Sequence, residues 1–116
     1  MKRTIIAMVA VAAFAAPTFA QAPQPLINWR GMTLYISDQD TGGTSNCNAQ
    51  CAANWPPHLA AANAQGTGNW SVITRGDGNK QWAYKSKPLY TYKNDAKPGD
   101  TSGNGQNNNT WHTAMP

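Results

Sequence analysis

The chain has 116 residues, with nine Lys and Arg against five Asp and no Glu, a formal charge of +4 and 41% hydrophobic residues. That length bounds it to one small domain with a modest core. With only two histidines, no glutamate, and no glycine-rich loop opening a helix, acid–base, nucleophilic and nucleotide chemistry have no recognisable motif, and no catalytic residue is predicted.

Lys2 and Arg3, the apolar run from Ile5 to Ala16, and Thr18-Phe19-Ala20 read as a signal peptide over residues 1–20, cleaved near Ala20. The apolar run is too short to span a bilayer with margin. No cysteine follows the cleavage site, so no lipid anchor and no stable membrane attachment are expected. The expected product, residues 21–116, keeps seven Lys and Arg against five Asp, so its charge falls to about +2. Its basic residues are scattered, which argues against nucleic acid as a partner. A periplasmic or secreted monomer is the expectation.

Gln21 to Pro25 reads as an extended tether. From Leu26 the chain alternates apolar and polar residues as a strand or hairpin would, ending at Asp38. Asp38 to Gly43 is a turn with the Asp-x-Asp-x-Gly opening of a calcium loop but none of its later acidic ligands. Aspartates accepting turn amides account for it without a metal.

Ser45 to Asn54 is the helical candidate, capped by Ser45 or Asn46 and stopped by Trp55-Pro56-Pro57. Cys47 and Cys51 then lie one turn apart on one face. In an exported chain with two cysteines the default is a structural disulfide, and the helical spacing of about 6 Å between Cα atoms allows it. The alternative is a copper or thiol-redox site using Cys47, Cys51 and His58, with Met32 as a further soft donor.

Ala60 to Asn69 is a surface loop. Trp70 to Arg75 and Lys80 to Tyr84 form a hairpin about the Asp77-Gly78 turn. A second turn leads into a strand from Leu89 to Lys93. A long Gly/Asn/Asp-rich loop then precedes a closing strand over 110–114.

One stretch recurs. Leu34-Tyr35 followed by Asp40 returns as Leu89-Tyr90 followed by Asp95, an offset of 55 residues. Trp29 and Trp82 lie upstream at an offset of 53, Trp55 and Trp111 downstream at 56. The pattern indicates a tandem duplication, with copy one about 26–59 and copy two about 70–116. The expected fold is all-β: two tandem related β units packed as one domain, with one short helix around the Cys-x3-Cys segment. Each tryptophan is expected in the core of its own copy. Trp55, Trp82 and Trp111 are also the candidate ligand-binding aromatics, should they face solvent.

Tyr90-x-Tyr92-x-x-Asp95 fits the Tyr-x-aromatic-x-x-Asp motif of a family of bacterial secreted proteins and predicted lipoproteins, known as a secreted repeat of unknown function. Copy one resembles it too, through Gly31-x-Thr33-Leu34-Tyr35, Asp38-x-Asp40, Cys47-x3-Cys51 and Trp55-Pro56-Pro57. Arg75-x-Asp77-Gly78, Gln81-Trp82, Pro88-Leu89-Tyr90, Pro98-Gly99-Asp100 and Trp111-His112 extend the resemblance over nearly all of residues 21–116. Ser37 departs from it where the motif has an aromatic, and the lipoprotein cysteine is missing. The resemblance implies an exported repeat domain without an established activity.

The expected function is a non-enzymatic binding or accessory module of the cell envelope, with an unknown protein or envelope component as partner and no cofactor. Copper or redox service through Cys47, Cys51 and His58 is one alternative. Glycan binding through exposed aromatics is the other.

Overall fold

A computed structural model describes residues 22–116, so the leader expected over 1–20 lies outside the described residues. The regular elements are short: β1 Tyr35–Ser37, α1 Gln50–Asn54, β2 Trp70–Thr74, β3 Lys80–Tyr84, β4 Lys87–Pro88, α2 Gln106–Asn109 and β5 Trp111–Thr113. β1 pairs antiparallel with β5, and β2, β3 and β4 form a second antiparallel sheet in that order. The fold is thus mainly β, as expected.

The β2–β3 hairpin follows from local chemistry. Val72, Ile73 and Thr74 are β-branched and favour the pleated backbone. Gly78 takes φ 87° in the turn, a conformation that a side chain disfavours. Arg75 N–H bonds to the Asn79 carbonyl at 2.8 Å, and Asp77 Oδ1 accepts the Asn79 N–H at 2.9 Å.

The duplication shows itself in the backbone hydrogen bonds. In one half, Trp82 N–H donates to His58 O, His58 N–H to Leu89 O, and Leu89 N–H to Trp82 O, at 2.9, 2.9 and 3.0 Å. In the other, Leu26 N–H donates to Ala114 O, Ala114 N–H to Leu34 O, and Leu34 N–H to Leu26 O, at 2.8, 2.8 and 2.9 Å. Each set closes a ring of three chain segments, and the sets correspond with offsets of 56, 55 and 56 residues. Between them, Tyr35 N–H bonds to Tyr90 O at 2.7 Å and Tyr90 N–H to Tyr35 O at 3.0 Å. A pseudo-twofold axis passes between these two tyrosines.

The rings reveal an exchange between the copies and correct one expectation. His58 closes a ring made by copy two, and Ala114 closes one made by copy one, so the copies exchange their closing segments. The two units are interlocked. Trp29 is also not the counterpart of Trp82: the residue in the equivalent ring position is Leu26, and Trp29 stands 82% exposed.

The bridges Ile27–Thr33 and Ala83–Pro88 mark the same hairpin in each copy. Its turn is one residue longer in copy one, where Gly31 takes φ 80°. Copy two closes with Lys85 and Ser86 at φ 48° and 65°. That is the pair of left-handed residues that a two-residue hairpin turn demands.

The helix is shorter than expected. α1 starts at Gln50 behind Ala49 at φ 53°, with no side-chain cap. Ser45 does not cap it because its hydroxyl meets the Tyr90 hydroxyl and accepts from Arg75 Nη1 at 3.0 Å. The Cys47 carbonyl is taken by Arg75 Nη2 at 2.7 Å. These distant partners outbid the local helix. α2 is an asparagine turn with Asn107 and Asn108 left-handed at φ 58° and 54°, a region that asparagine tolerates better than most residues.

Candidate functional site

The repeat motif builds the core. One buried cluster holds Tyr35, Cys47, Trp55, Tyr90 and Trp111, and a second holds Leu34, Leu89 and Ala114. Trp55 and Trp111 are the duplicated pair and stack on each other across the pseudo-twofold, centroids 3.9 Å apart and planes 5° from parallel. They are 5% and 2% exposed. The expectation that each packs within its own copy fails because the axis brings equivalent positions face to face. Neither offers a ring face of useful area to a ligand. Trp82 is half-buried and packs edge-on against Trp70 at 6.2 Å.

The tyrosines and aspartates of the motif bond across the copies. Tyr35 O–H donates to Asp95 Oδ2 and Tyr90 O–H to Asp40 Oδ2, both at 2.6 Å. The second oxygen of each aspartate accepts a loop amide, from Asn46 at 2.7 Å for Asp40 and from Ser102 at 2.9 Å for Asp95. Each loop is thereby tied to the opposite copy's tyrosine. Burial, then the hydrogen bond that the neutral O–H donates to the carboxylate, pushes each of these tyrosines well above the ordinary phenol value. Each aspartate accepts a loop amide, the kind of bond expected of it, and also a phenol O–H from the opposite copy, which was not expected.

Past Tyr90 the network continues inward. Arg75, 5% exposed, spends Nη1 on Ser45 Oγ and on Gln81 Oε1 at 2.8 Å, and Gln81 Nε2 donates to Leu89 O at 2.7 Å. Its nearest carboxylate is Asp77, 3.9 Å from Nε. A charge so buried needs its neutral partners, which makes Arg75 a structural keystone that sequence reasoning did not single out.

Cys47 and Cys51 are joined by a disulfide, Cα atoms 5.2 Å apart. Cys47 is buried beside the aromatic cluster and Cys51 is partly exposed at the start of α1. A copper or thiol-redox site on these sulfurs has to begin with their reduction. His58 sits half-buried in the ring of copy two, and burial lowers its pKa from the usual imidazole value. Among the described residues, no three His, Cys, Asp or Glu side chains cluster as metal ligands.

Among the described residues, three surface concavities bear on function. Two of them are equivalent under the pseudo-twofold. The first, about 380 Å³, is bounded by Trp29 and Arg30 of the copy-one turn, by His58 and Leu59, and by Thr91. The second, about 190 Å³, is bounded by Tyr84 and Lys85 of the copy-two turn, by Ala114 and Met115, and by Ile36. His58/Ala114 and Leu59/Met115 keep the offset of 56, and Ile36/Thr91 that of 55. Continuing the Trp55/Trp111 offset along the chain would have revealed these pairs. The discordant 53 for Trp29/Trp82 was a sign of the wrong alignment.

The third concavity, about 270 Å³, is polar and lies between Asn54, Trp55, Tyr92, Asn94, Gln106 and Asn107. Tyr92 stacks on Trp55 at 4.3 Å, and its hydroxyl accepts Asn94 Nδ2 at 3.1 Å. Copy one has Ser37 where copy two has Tyr92.

A profile of a family described as a secreted repeat of unknown function matches residues 24–58 and again residues 71–115. The two matched stretches are the two copies. No curated protein and no solved structure matches the chain.

Proposed function

The chain belongs to the family of secreted repeats of unknown function, and from that membership we propose that it is an exported, non-enzymatic binding or accessory module of the cell envelope. The observation that carries this proposal is the duplicated surface concavity. The motif residues are spent on the interlocked core, and the outer face presents one hollow twice. At the first copy, Trp29 is 82% exposed and Leu59 is 55% exposed, yet the turn beneath them is built. Asn28 Oδ1 accepts the Arg30 and Met32 amides at 2.9 and 3.0 Å. A large aromatic held on a fixed turn in water favours an interface. The partner is a protein or another envelope component, reached after export to the periplasm or the medium and cleavage near Ala20.

Sedimentation of the purified protein with washed envelope fragments tests this function. The protein should sediment with them, Trp29→Ala should lower the bound fraction, and Thr74→Ala, at an exposed position outside both hollows, should not. Equal sedimentation of all three proteins, or none, would refute it.

Glycan binding is favoured separately by the polar cleft, where amides surround the half-buried Tyr92 ring stacked on Trp55. Trp55 fluorescence should respond to a saccharide seated there. Silence across a series of cell-wall fragments would remove this second function.

A further inference from the structure

The two equivalent hollows share chemistry as well as position. Each has an aromatic on its hairpin turn with a cation over the ring: Arg30 lies 4.6 Å from the Trp29 centroid, and Lys85 Nζ 5.4 Å from the Tyr84 centroid. Each has a large apolar side chain left exposed on the closing segment, Leu59 at 55% and Met115 at 40%. Neither hollow has an acidic residue in its lining. Among the described residues, the salt bridges are Arg75–Asp77, Lys97–Asp100 and His112–Asp38, so Arg30, Lys85 and Lys87 have no carboxylate partner.

The individual side chains differ greatly between the copies. Trp29 stands where Lys85 does, His58 where Ala114 does, and Leu59 where Met115 does. What is common is an exposed apolar side chain on the closing segment, a cation on the hairpin turn and no acidic residue in the lining. The copy-two hollow states this most simply. Ile36, Ala114 and Met115 form an apolar wall, and Lys85 and Lys87 stand at its edge. Lys85 is held there by an uncommon backbone, since it and Ser86 both occupy the left-handed region.

We propose that both hollows bind single-chain amphiphilic anions, with the apolar tail against Leu59 or Met115 and the anionic head on the turn cation. This rests on the binding function proposed above and names its ligand class. An apolar wall contributes affinity by removing tail area from water, and a cation near low-dielectric surface selects the sign of the head group. The tail should therefore matter by length and the head by charge.

The test is an amide chemical-shift titration of the isotope-labelled secreted protein with hexanoate, octanoate, 1-octanol and octylammonium, each below its aggregation concentration. Octanoate should shift Lys85, Lys87 and Met115 in one hollow and Arg30, His58 and Leu59 in the other, saturably. Lengthening the tail should tighten binding by roughly fourfold for each methylene covered. Lys85→Gln with Lys87→Gln should weaken octanoate at the copy-two hollow several-fold and leave the copy-one hollow unchanged, which also shows that the variant is folded. Equal binding of 1-octanol and octanoate would overturn the anionic class while leaving the hollows as binding sites. Binding only to phosphatidylglycerol vesicles, with octanoate inert, would overturn it in favour of a membrane surface. If no probe moves either hollow but envelope sedimentation still depends on Trp29, the ligand class fails and the binding function stands. If both fail, both proposals fall.

Discussion

Tyr35→Phe removes a single hydroxyl from the bond that links copy one to copy two. The oxygen donates to Asp95 Oδ2 at 2.6 Å and accepts the Gly103 N–H at 3.2 Å, and Tyr35 is fully buried. A hydrogen bond to a charged partner contributes about 1.5–3 kcal/mol, and the carboxylate left behind keeps only its bond from Ser102. For a domain of this size, each kcal/mol moves Tm by about 4–8 °C, so a fall of roughly 6–24 °C is expected. The assay is thermal and urea unfolding in a double-mutant cycle. Tyr35→Phe should couple to Asp95→Asn by about 0.5–3 kcal/mol. It should be additive with Asp40→Asn, whose side chain bonds to Tyr90 instead, within about 0.5 kcal/mol. Coupling to Asp40 in place of Asp95 would refute the cross-copy arrangement, because that is what two self-contained repeats would show.

The same core makes other demands. A Cβ on Gly103 would meet Trp55 Cη2 at 2.7 Å and Tyr35 Cε1 at 3.0 Å, both in rigid rings. Gly103→Ala should therefore cost about 1–3 kcal/mol in urea unfolding, and unchanged stability would show that the aromatic stack is not packed as described. Tyr35 and Tyr90 have folded-state pKa values raised by burial and their aspartates. Their stabilisation is thus fully present below the unfolded value of about 10 and is lost as pH rises beyond it. Absorbance at alkaline pH should show two tyrosines ionising only as the protein unfolds, whereas all four ionising in the folded protein would contradict the buried pairs. Reducing the disulfide opens a very short loop, for which chain entropy gives about 2 kcal/mol. Tm should fall under reductant but the near-ultraviolet signal of the aromatic stack should persist at low temperature. Loss of that signal would make the bridge essential to the fold.

Much of the local architecture was legible in the chain. The β2–β3 hairpin is written in its β-branched run and in Asp77-Gly78, and the duplication in Leu34-Tyr35 and Leu89-Tyr90. The disulfide followed from two cysteines in an exported chain. The exchange of closing segments was not legible, for a physical reason. When His58 and Ala114 belong to equivalent segments, pairing within a copy and pairing between copies satisfy the same local pattern. Only three-dimensional closure distinguishes them. The helix start was misplaced for a similar reason, since Ser45 suits a cap but is engaged by Arg75 and Tyr90 from the other copy. The paired hollows lay within reach of the sequence once Leu26, not Trp29, is aligned with Trp82.

Separating the copies tests the interlocked fold most directly. Cutting within the exposed loop gives fragments 22–62 and 63–116, each lacking the segment that closes its own ring. Circular dichroism should find each fragment unfolded alone. Their mixture should regain the near-ultraviolet signature of the Trp55–Trp111 stack in equimolar proportion. A fragment that folds by itself, with a two-state transition of its own, would contradict the exchange and leave the two copies as independent units.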